Sequence, residues 1–168
     1  MRTLAAKSGR RNQGLWRFAL GLYGRPGVAA ACLSLQDRHG VDIPLLLAAI
    51  WHGASGRGRL PASRARAWRA RAREWRRAIA PLRAARTAIR GAAGTDPAIG
   101  RLRKSILAAE LAAEKLLLRD LESDSAASGA THARTVLADA RHNAEIFVRA
   151  ATARRTLTKI IPRLGASV

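Results

Sequence analysis

Apolar residues recur at intervals of three and four along most of the chain, which is the spacing of one face of an α-helix. The clearest stripe lies between Pro61 and Arg90. Its members are Ala65, Trp68, Ala72, Trp75, Ile79, Leu82 and Ile89. A second stripe follows after the turn Gly91 to Gly94, and its members are Ile99, Leu102, Ile106, Ala109, Ala113 and Leu116. Two long stripes joined by a short turn predict a long antiparallel helix hairpin.

Capping residues and glycines divide the chain before the hairpin into three shorter predicted helices. The residues that mark their ends are Asn12 and Gly24 for the first, Pro26 and Gly40 for the second, and Asp42 and about His52 for the third. Within the hairpin, Thr95 or Asp96 can cap the second helix ahead of Pro97, which the first helical turn tolerates. Pro81 removes a backbone donor inside the first stripe, so we expect a kink or break near it.

After the hairpin, residues Ser123 to Ala130 are small and polar and predict a loop. Helical spacing then predicts one helix from Ala133 to Ala151 and a short one from Leu157 to Leu164, and we expect both to pack on the same core. Because no alternating strand pattern appears, the sequence predicts an all-α compact bundle of about five or six helices. The expected organisation is a mobile basic arm over residues 1–11, a helical domain over 12–122, a linker or loop over 123–131 and C-terminal helices over 132–168.

The net charge of +20 comes from 31 Lys and Arg against 11 Asp and Glu, and most of it lies before Gly91. A field of this sign attracts polyanions, such as nucleic acid or an acidic protein face. The basic residues are nearly all Arg, and Ala and Gly are abundant, so a GC-rich coding sequence explains the same excess. Both interpretations stay open at the level of sequence.

The segment from Arg57 to Arg90 holds twelve Arg and one acidic residue, Glu74. An arginine-covered helix neutralises several phosphates at once, and guanidinium groups match phosphate oxygens in geometry. We therefore predict a basic helical module for an anionic partner, either nucleic acid or an acidic protein face. The predicted anion-binding residues are Arg66, Arg69, Arg73, Arg76, Arg77 and Arg83. Trp68 and Trp75 are expected in the core rather than as base-stacking platforms.

Groups that carry catalysis or bind metals are scattered along the chain, and the histidines, His39, His52, His132 and His142, are not placed together. We predict no catalytic residue, no metal and no cofactor, and we favour a protein that is not an enzyme. One alternative is an enzyme or metal site at the turn from Asp37 to Asp42 or on the helix face shared by Glu110 and Glu114. A second is a structural or regulatory adaptor that uses apolar helix surface, as a homodimer.

The single cysteine, Cys32, excludes an internal disulfide and favours a reducing compartment. Arg10 and Arg11 precede an apolar stretch, as in some export signals, but Arg17, Arg25 and Pro26 interrupt that stretch. No apolar run approaches the roughly 20 residues of a membrane span. We therefore expect a cytoplasmic protein without a membrane span.

The run LWRFALGLYGRPGVAAACLSLQDRHGVDIPLLLAAIWHG, from Leu15 to Gly53, resembles the opening of a bacterial family of small helical proteins of unknown function. The signature of that family reads approximately WRFSLxLYxxPGVxxACLxLQxxxGxDVxLLLxxLW, and Ala19 stands where Ser is usual. A looser resemblance continues to Leu121. It implies a helical cytoplasmic protein and carries over no activity, cofactor or site residue.

Overall fold

The computed structural model describes residues 14–92, 96–125 and 135–164, and these form seven α-helices without a strand. The helices are α1 Leu15–Tyr23, α2 Val28–His39, α3 Ile43–Ala54, α4 Ala62–Ala92, α5 Pro97–Ser123, α6 Val136–Phe147 and α7 Ala151–Ile160, and a 3-10 turn Ile161–Leu164 follows α7. The predicted all-α class is therefore confirmed. The seven helices exceed the expected total of about five or six but match the seven segments that the sequence pattern marks one by one. The arm over residues 1–11, the cap Asn12 and most of the loop over 123–131 lie outside the described residues.

Helix α3 is the centre of the bundle. The side chain of Asp42 caps it by accepting a hydrogen bond from the backbone N–H of Leu45 at 3.3 Å, as predicted, and Pro44 lies in the tolerated first turn. Every residue from Leu45 to Gly53 is buried. A helix that is apolar on all sides has to be surrounded by other helices, and α3 packs against α1, α5 and α6.

The contact between α3 and α6 depends on small residues. A Cβ atom placed on Gly53 would lie 2.3 Å from the backbone nitrogen of Ala140, so the two backbones touch there. Ala140 and Ala144 of α6 are fully buried against this surface. Helix α7 adds Ala153, Leu157 and Ile160 to the same core, so the C-terminal helices are part of it.

Helices α4 and α5 form the predicted antiparallel hairpin, and Asp96 caps α5 by accepting from Ala98 N–H at 2.8 Å. Helix α4 runs through Pro81 without interruption, so the break that this proline allowed does not occur. Its last buried residue is Ile79, and the first buried residue of α5 is Glu110. Residues 80–90 and 96–109, here called the distal hairpin, contain no buried side chain.

Three predicted helix boundaries are wrong, and one of them is the start of the last helix, which lies at Ala151 rather than at Leu157. Helix α2 begins at Val28 rather than at Pro26, because Gly27 at φ +80° takes the left-handed conformation that precedes it. The helix predicted from Ala133 to Ala151 ends at Phe147, and Val148 is extended. At this end of the helix, arginine side chains donate the hydrogen bonds that backbone N–H groups of a longer helix would supply. Arg69 donates to Ile146 O, and Arg154 donates to Val148 O.

Trp68 is buried as expected and donates its ring N–H to Asp124, the C-cap residue of α5. Trp75 is half-buried and donates its ring N–H to Asp120 of α5. Within the described ranges, no single helix has the length and apolar composition needed to cross a membrane. Helices α1 and α2 meet that test only as a pair, and they are bent by 99° relative to each other.

Candidate anion-binding cleft

A cleft of about 440 Å³ opens where α4 passes the start of α3 and the connection between α6 and α7. Its apolar floor includes Leu45 and Phe147. Its charged and titratable lining residues are His39, Asp42, Arg69, Arg73, Arg76 and Arg149. We call this site the basic cleft, since four guanidinium groups line it together with one carboxylate.

Helix α4 positions three of these arginines. Arg69, Arg73 and Arg76 follow one another at intervals of four and three residues, which places them on one face, about 6 and 4.5 Å apart along the helix axis. The neighbouring residues Trp68 and Ala72 are buried and anchor this part of α4 in the core. The row of arginines is therefore carried by a rigid element.

Arg69 closes one end of the basic cleft. Its Nη2 donates to Ile146 O at 2.6 Å, and its Cζ lies 4.8 Å from the ring centre of Phe147. Partial burial, and then repulsion from Arg149, lowers the pKa of Arg69. The two cations thus lie close enough to disfavour each other, and an anion between them would relieve that repulsion.

Asp42 offsets only part of this positive charge. Its Oδ2 accepts from Nη2 of Arg76 at 2.7 Å, while its Oδ1 caps α3. Within the described chain, the side chains of Arg73 and Arg149 have no hydrogen-bond or ion-pair partner. The basic cleft therefore presents two uncompensated guanidinium groups.

The first turn of α7 adds a further positive contribution. Ala150 is the N-cap residue of α7 and has no side chain that can bond the free N–H groups of that turn. Both Ala150 and Ala153 line the basic cleft. The N-terminal end of a helix carries partial positive charge and binds anions, so it reinforces the arginines.

The six predicted anion-binding residues fall into three groups. Arg69, Arg73 and Arg76 line the basic cleft, while Arg66 and Arg77 are exposed elsewhere on α4. Arg83 lies beyond the cleft and bonds Glu110 at 2.9 Å and Glu114 at 2.7 Å. Sequence reasoning missed Arg149. It lies within the helix predicted from Ala133 to Ala151, where an arginine is an ordinary solvated residue, but the helix ends before it, at Phe147.

A buried polar cluster at the end of α3 was also missed. His52 is fully buried, and its Nδ1 lies 2.7 Å from the hydroxyl oxygen of Ser125. Arg57 stacks on Trp51, with Cζ 3.9 Å from the ring centre, and donates to Ser125 O. Burial, followed by the charges of Arg64 and Arg57, lowers the pKa of His52 to about 4. The histidine is therefore neutral at pH 7 and ties α3 to the end of α5.

The face of Glu110 and Glu114 is an ion-pair network with Arg83 and Arg86. Glu110 Oε2 accepts from Nε of Arg86 at 2.6 Å, and Glu110 Oε1 accepts from Nε of Arg83. Although burial raises the pKa of Glu110, hydrogen bonds from Arg86 and Arg83 more than offset that and leave the value lowered. Burial raises the pKa of Glu114.

The remaining candidates for chemistry are dispersed. Asp37 is exposed on α2, and Asp42 is occupied by its cap and by Arg76. Burial raises the pKa of the Cys32 thiol to about 11, so the thiolate that reacts is disfavoured at neutral pH. Across the part of the chain that the structure describes, no three His, Cys, Asp or Glu side chains are grouped in a way that would hold a metal ion.

The fold and this surface define an all-helical protein with a basic concavity between α4 of its hairpin and its C-terminal helices. The chain belongs to the family described as "Protein of unknown function (DUF2390)", whose model matches residues 14–121. The match covers α1 to α5, so Arg149 comes from beyond it. Comparison with curated proteins and comparison with solved structures gave no match.

Proposed function

We propose that the protein works by binding an anionic partner in the basic cleft, and that the preferred partner is a phosphate-bearing polymer such as nucleic acid. The observation that carries the proposal is the convergence of Arg69, Arg73, Arg76 and Arg149 on one cleft that holds one carboxylate. Net charge alone attracts polyanions to any surface. The basic cleft localises that attraction, because Arg73 and Arg149 have no ion-pair partner among the described residues.

The arginines divide into supporting and contacting groups. Arg69 and Arg76 are held by Ile146 O and Asp42, so they keep their positions before a ligand arrives. Arg73 and Arg149 have no partner among the described residues, so their donors can serve the ligand. Guanidinium groups bind phosphate oxygens through paired hydrogen bonds, so one phosphate between Arg73 and Arg149 would satisfy both.

A binding role fits the chemistry better than catalysis does. The single carboxylate of the basic cleft already caps α3 and pairs with Arg76, so it is committed to structure. His39 is the remaining titratable side chain of the lining, and it is exposed. General acid and base work usually needs two groups placed against a substrate, which this lining does not offer.

Charge reversal at matched positions tests the proposal. Fluorescence anisotropy would measure binding of a dye-labelled single-stranded oligonucleotide of about 20 nucleotides at several salt concentrations. We expect Arg73→Glu and Arg149→Glu to weaken binding roughly tenfold or more, and to lower the salt slope by about one per lost phosphate contact. Arg66→Glu and Arg77→Glu change the net charge equally outside the cleft, and we expect less than about a threefold effect from each.

Equal losses in all four variants would show that net charge, rather than the basic cleft, governs binding. Affinity that does not change with salt would remove the nucleic-acid proposal. A dye-labelled polyglutamate peptide of similar charge serves as the comparator. If it binds more tightly than the oligonucleotide and responds to the same two arginines, the partner is an acidic protein.

A further inference from the structure

A second concave surface lies on the opposite side of α3 from the basic cleft and shares no lining residue with it. This groove, of about 310 Å³, is bounded by α1, α2 and α5 and includes Trp16, Cys32 and Leu118. Five large apolar side chains in it are exposed: Leu20, Tyr23, Leu33, Leu107 and Leu111. We call it the apolar groove.

Exposed apolar side chains are concentrated in the apolar groove. Within the described ranges eight large hydrophobic residues are exposed, and the five named above line this one surface. Leu20 and Leu33, on facing helices, are 54% and 50% exposed. Scattered exposed leucines need no explanation, but a contiguous concave patch indicates a docking surface.

Polar groups in the apolar groove do not add net charge to it. Arg83 and Arg86 line it together with Glu110 and Glu114, and these four side chains neutralise one another.

The rim of the apolar groove is basic. Lys115 lies over the Trp16 ring with Nζ 5.7 Å from its centre, and Arg103 and Lys104 lie one turn before Leu107 on α5. Arg17 lies one turn before Leu20, and the carboxylate of Asp37 lies one turn after Leu33.

We infer that the apolar groove binds an acidic amphipathic helix of another protein. Along α5 its lining runs from Leu107 to Leu118, about 16 Å or three helical turns, which matches apolar anchors at positions i, i+4, i+7 and i+11 of a docked helix. The anchors would fill the concavity, while acidic residues on their flanks would meet Arg17, Lys115 and the cations before Leu107.

Shape and charge both argue against other occupants. A second copy would bring groove against groove, and two concave surfaces do not fill each other. Two copies would also each carry a net charge of +20. A bilayer surface presents no projecting side chains to fill a concavity, whereas an amphipathic helix does.

Binding of a designed peptide tests this inference. The probe is a dye-labelled helical peptide of about 18 residues with leucines on one face and Glu and Ala elsewhere, and the comparator has the same composition with the leucines spread around the helix. We expect Leu111→Glu to weaken binding of the probe roughly tenfold or more. Leu137→Glu introduces the same change at an exposed leucine of α6 outside the groove, and we expect an effect within about twofold.

Three results would overturn the inference: equal affinity for both peptides, equal effects of the two leucine variants, or no binding of the probe. If analytical ultracentrifugation shows a dimer that Leu111→Glu dissociates into monomers, the groove binds a second copy of the chain. If the protein binds phosphatidylglycerol vesicles but not the peptide, and Leu111→Glu abolishes vesicle binding, the groove binds a membrane.

Arg73→Glu separates this site from the basic cleft, since it should leave peptide affinity unchanged within about threefold. Loss of peptide binding in Arg73→Glu alone would move the peptide to the basic cleft.

Discussion

The packed base of the molecule, where α3 meets α6, differs sharply from the distal hairpin. At the base the residues around Gly53 are buried on every side, and two helix backbones touch. In the distal hairpin no described side chain is buried, and arginines and glutamates at its root hold the two helices together. Stability is therefore concentrated at the base, while the hairpin carries charge.

This contrast also separates the arginines by role. Near the base, α4 is anchored by Trp68 and Ala72, and its arginines face a cleft with one carboxylate. Toward the hairpin, the same helix presents Arg83 and Arg86 to glutamates of α5. Arginines on one helix thus either face an open cleft or form ion pairs, according to the groups that the fold places beside them.

The largest expected effect is at the base. Gly53→Ala would place a methyl group 2.3 Å from the backbone of Ala140, so α3 and α6 must separate. We expect the free energy of unfolding to fall by about 3 kcal/mol, measured by urea denaturation. Gly100→Ala is the matched control in the distal hairpin, where nothing lies within 4 Å, and it should stabilise by about 0.5 to 1 kcal/mol. Similar costs at the two glycines would contradict the contrast.

Removal of the shared carboxylate of the ion-pair network should have the next largest effect. Glu110→Ala leaves Arg83 and Arg86 without their common acceptor, and we expect a loss of about 2 kcal/mol in thermal or urea unfolding. The control is Glu145→Ala, which breaks the exposed pair with Arg141 and should cost about 0.5 kcal/mol or less. If the two variants unfold alike, the network does not hold the hairpin.

The third effect is a pH dependence at the base, and it is about as large as the loss expected for Glu110→Ala. Because the pKa of His52 falls from 6.5 to about 4 on folding, the unfolded chain binds more protons between those values. Stability is therefore full above about pH 6.5 and falls as the pH drops, by about 2 kcal/mol between pH 7 and pH 5. Unfolding at a series of pH values measures this slope. His52→Gln should flatten it, and an unchanged slope in that variant would exclude His52 as its source.

The helices and most of their ends could be predicted because they depend on local spacing and caps. Asp42 and Asp96 cap α3 and α5 as their sequence context indicated. The end of α6 could not be predicted, since it depends on Arg69, which is distant in sequence and bonds Ile146 O. That break in the helix brings Arg149 to the basic cleft, so the same long-range contact hid a site residue.

The candidate sites were only partly visible in the sequence for the same reason. The arginine-rich segment could be identified. Which of its arginines form ion pairs could not, because Arg83 pairs with a glutamate of another helix while Arg73 lines the basic cleft. The apolar groove was equally hidden, because Leu107 and Leu111 lie outside the stripe predicted for α5, and the stripe members Leu102 and Leu116 are exposed as well. Only the relative positions of α1, α2 and α5 leave Leu107 and Leu111 exposed.

The most direct test of the basic cleft is to map where an anion perturbs the protein. Nitrogen-15 NMR spectra recorded during titration with inorganic pyrophosphate would report on the backbone amides of α7 and on the arginine side chains. If the anion binds in the basic cleft, we expect the largest shifts at residues 149–153 and at Arg69, Arg73 and Arg76, and small shifts at Arg66 and Arg77. Shifts of equal size at all exposed arginines, with none in the first turn of α7, would contradict it.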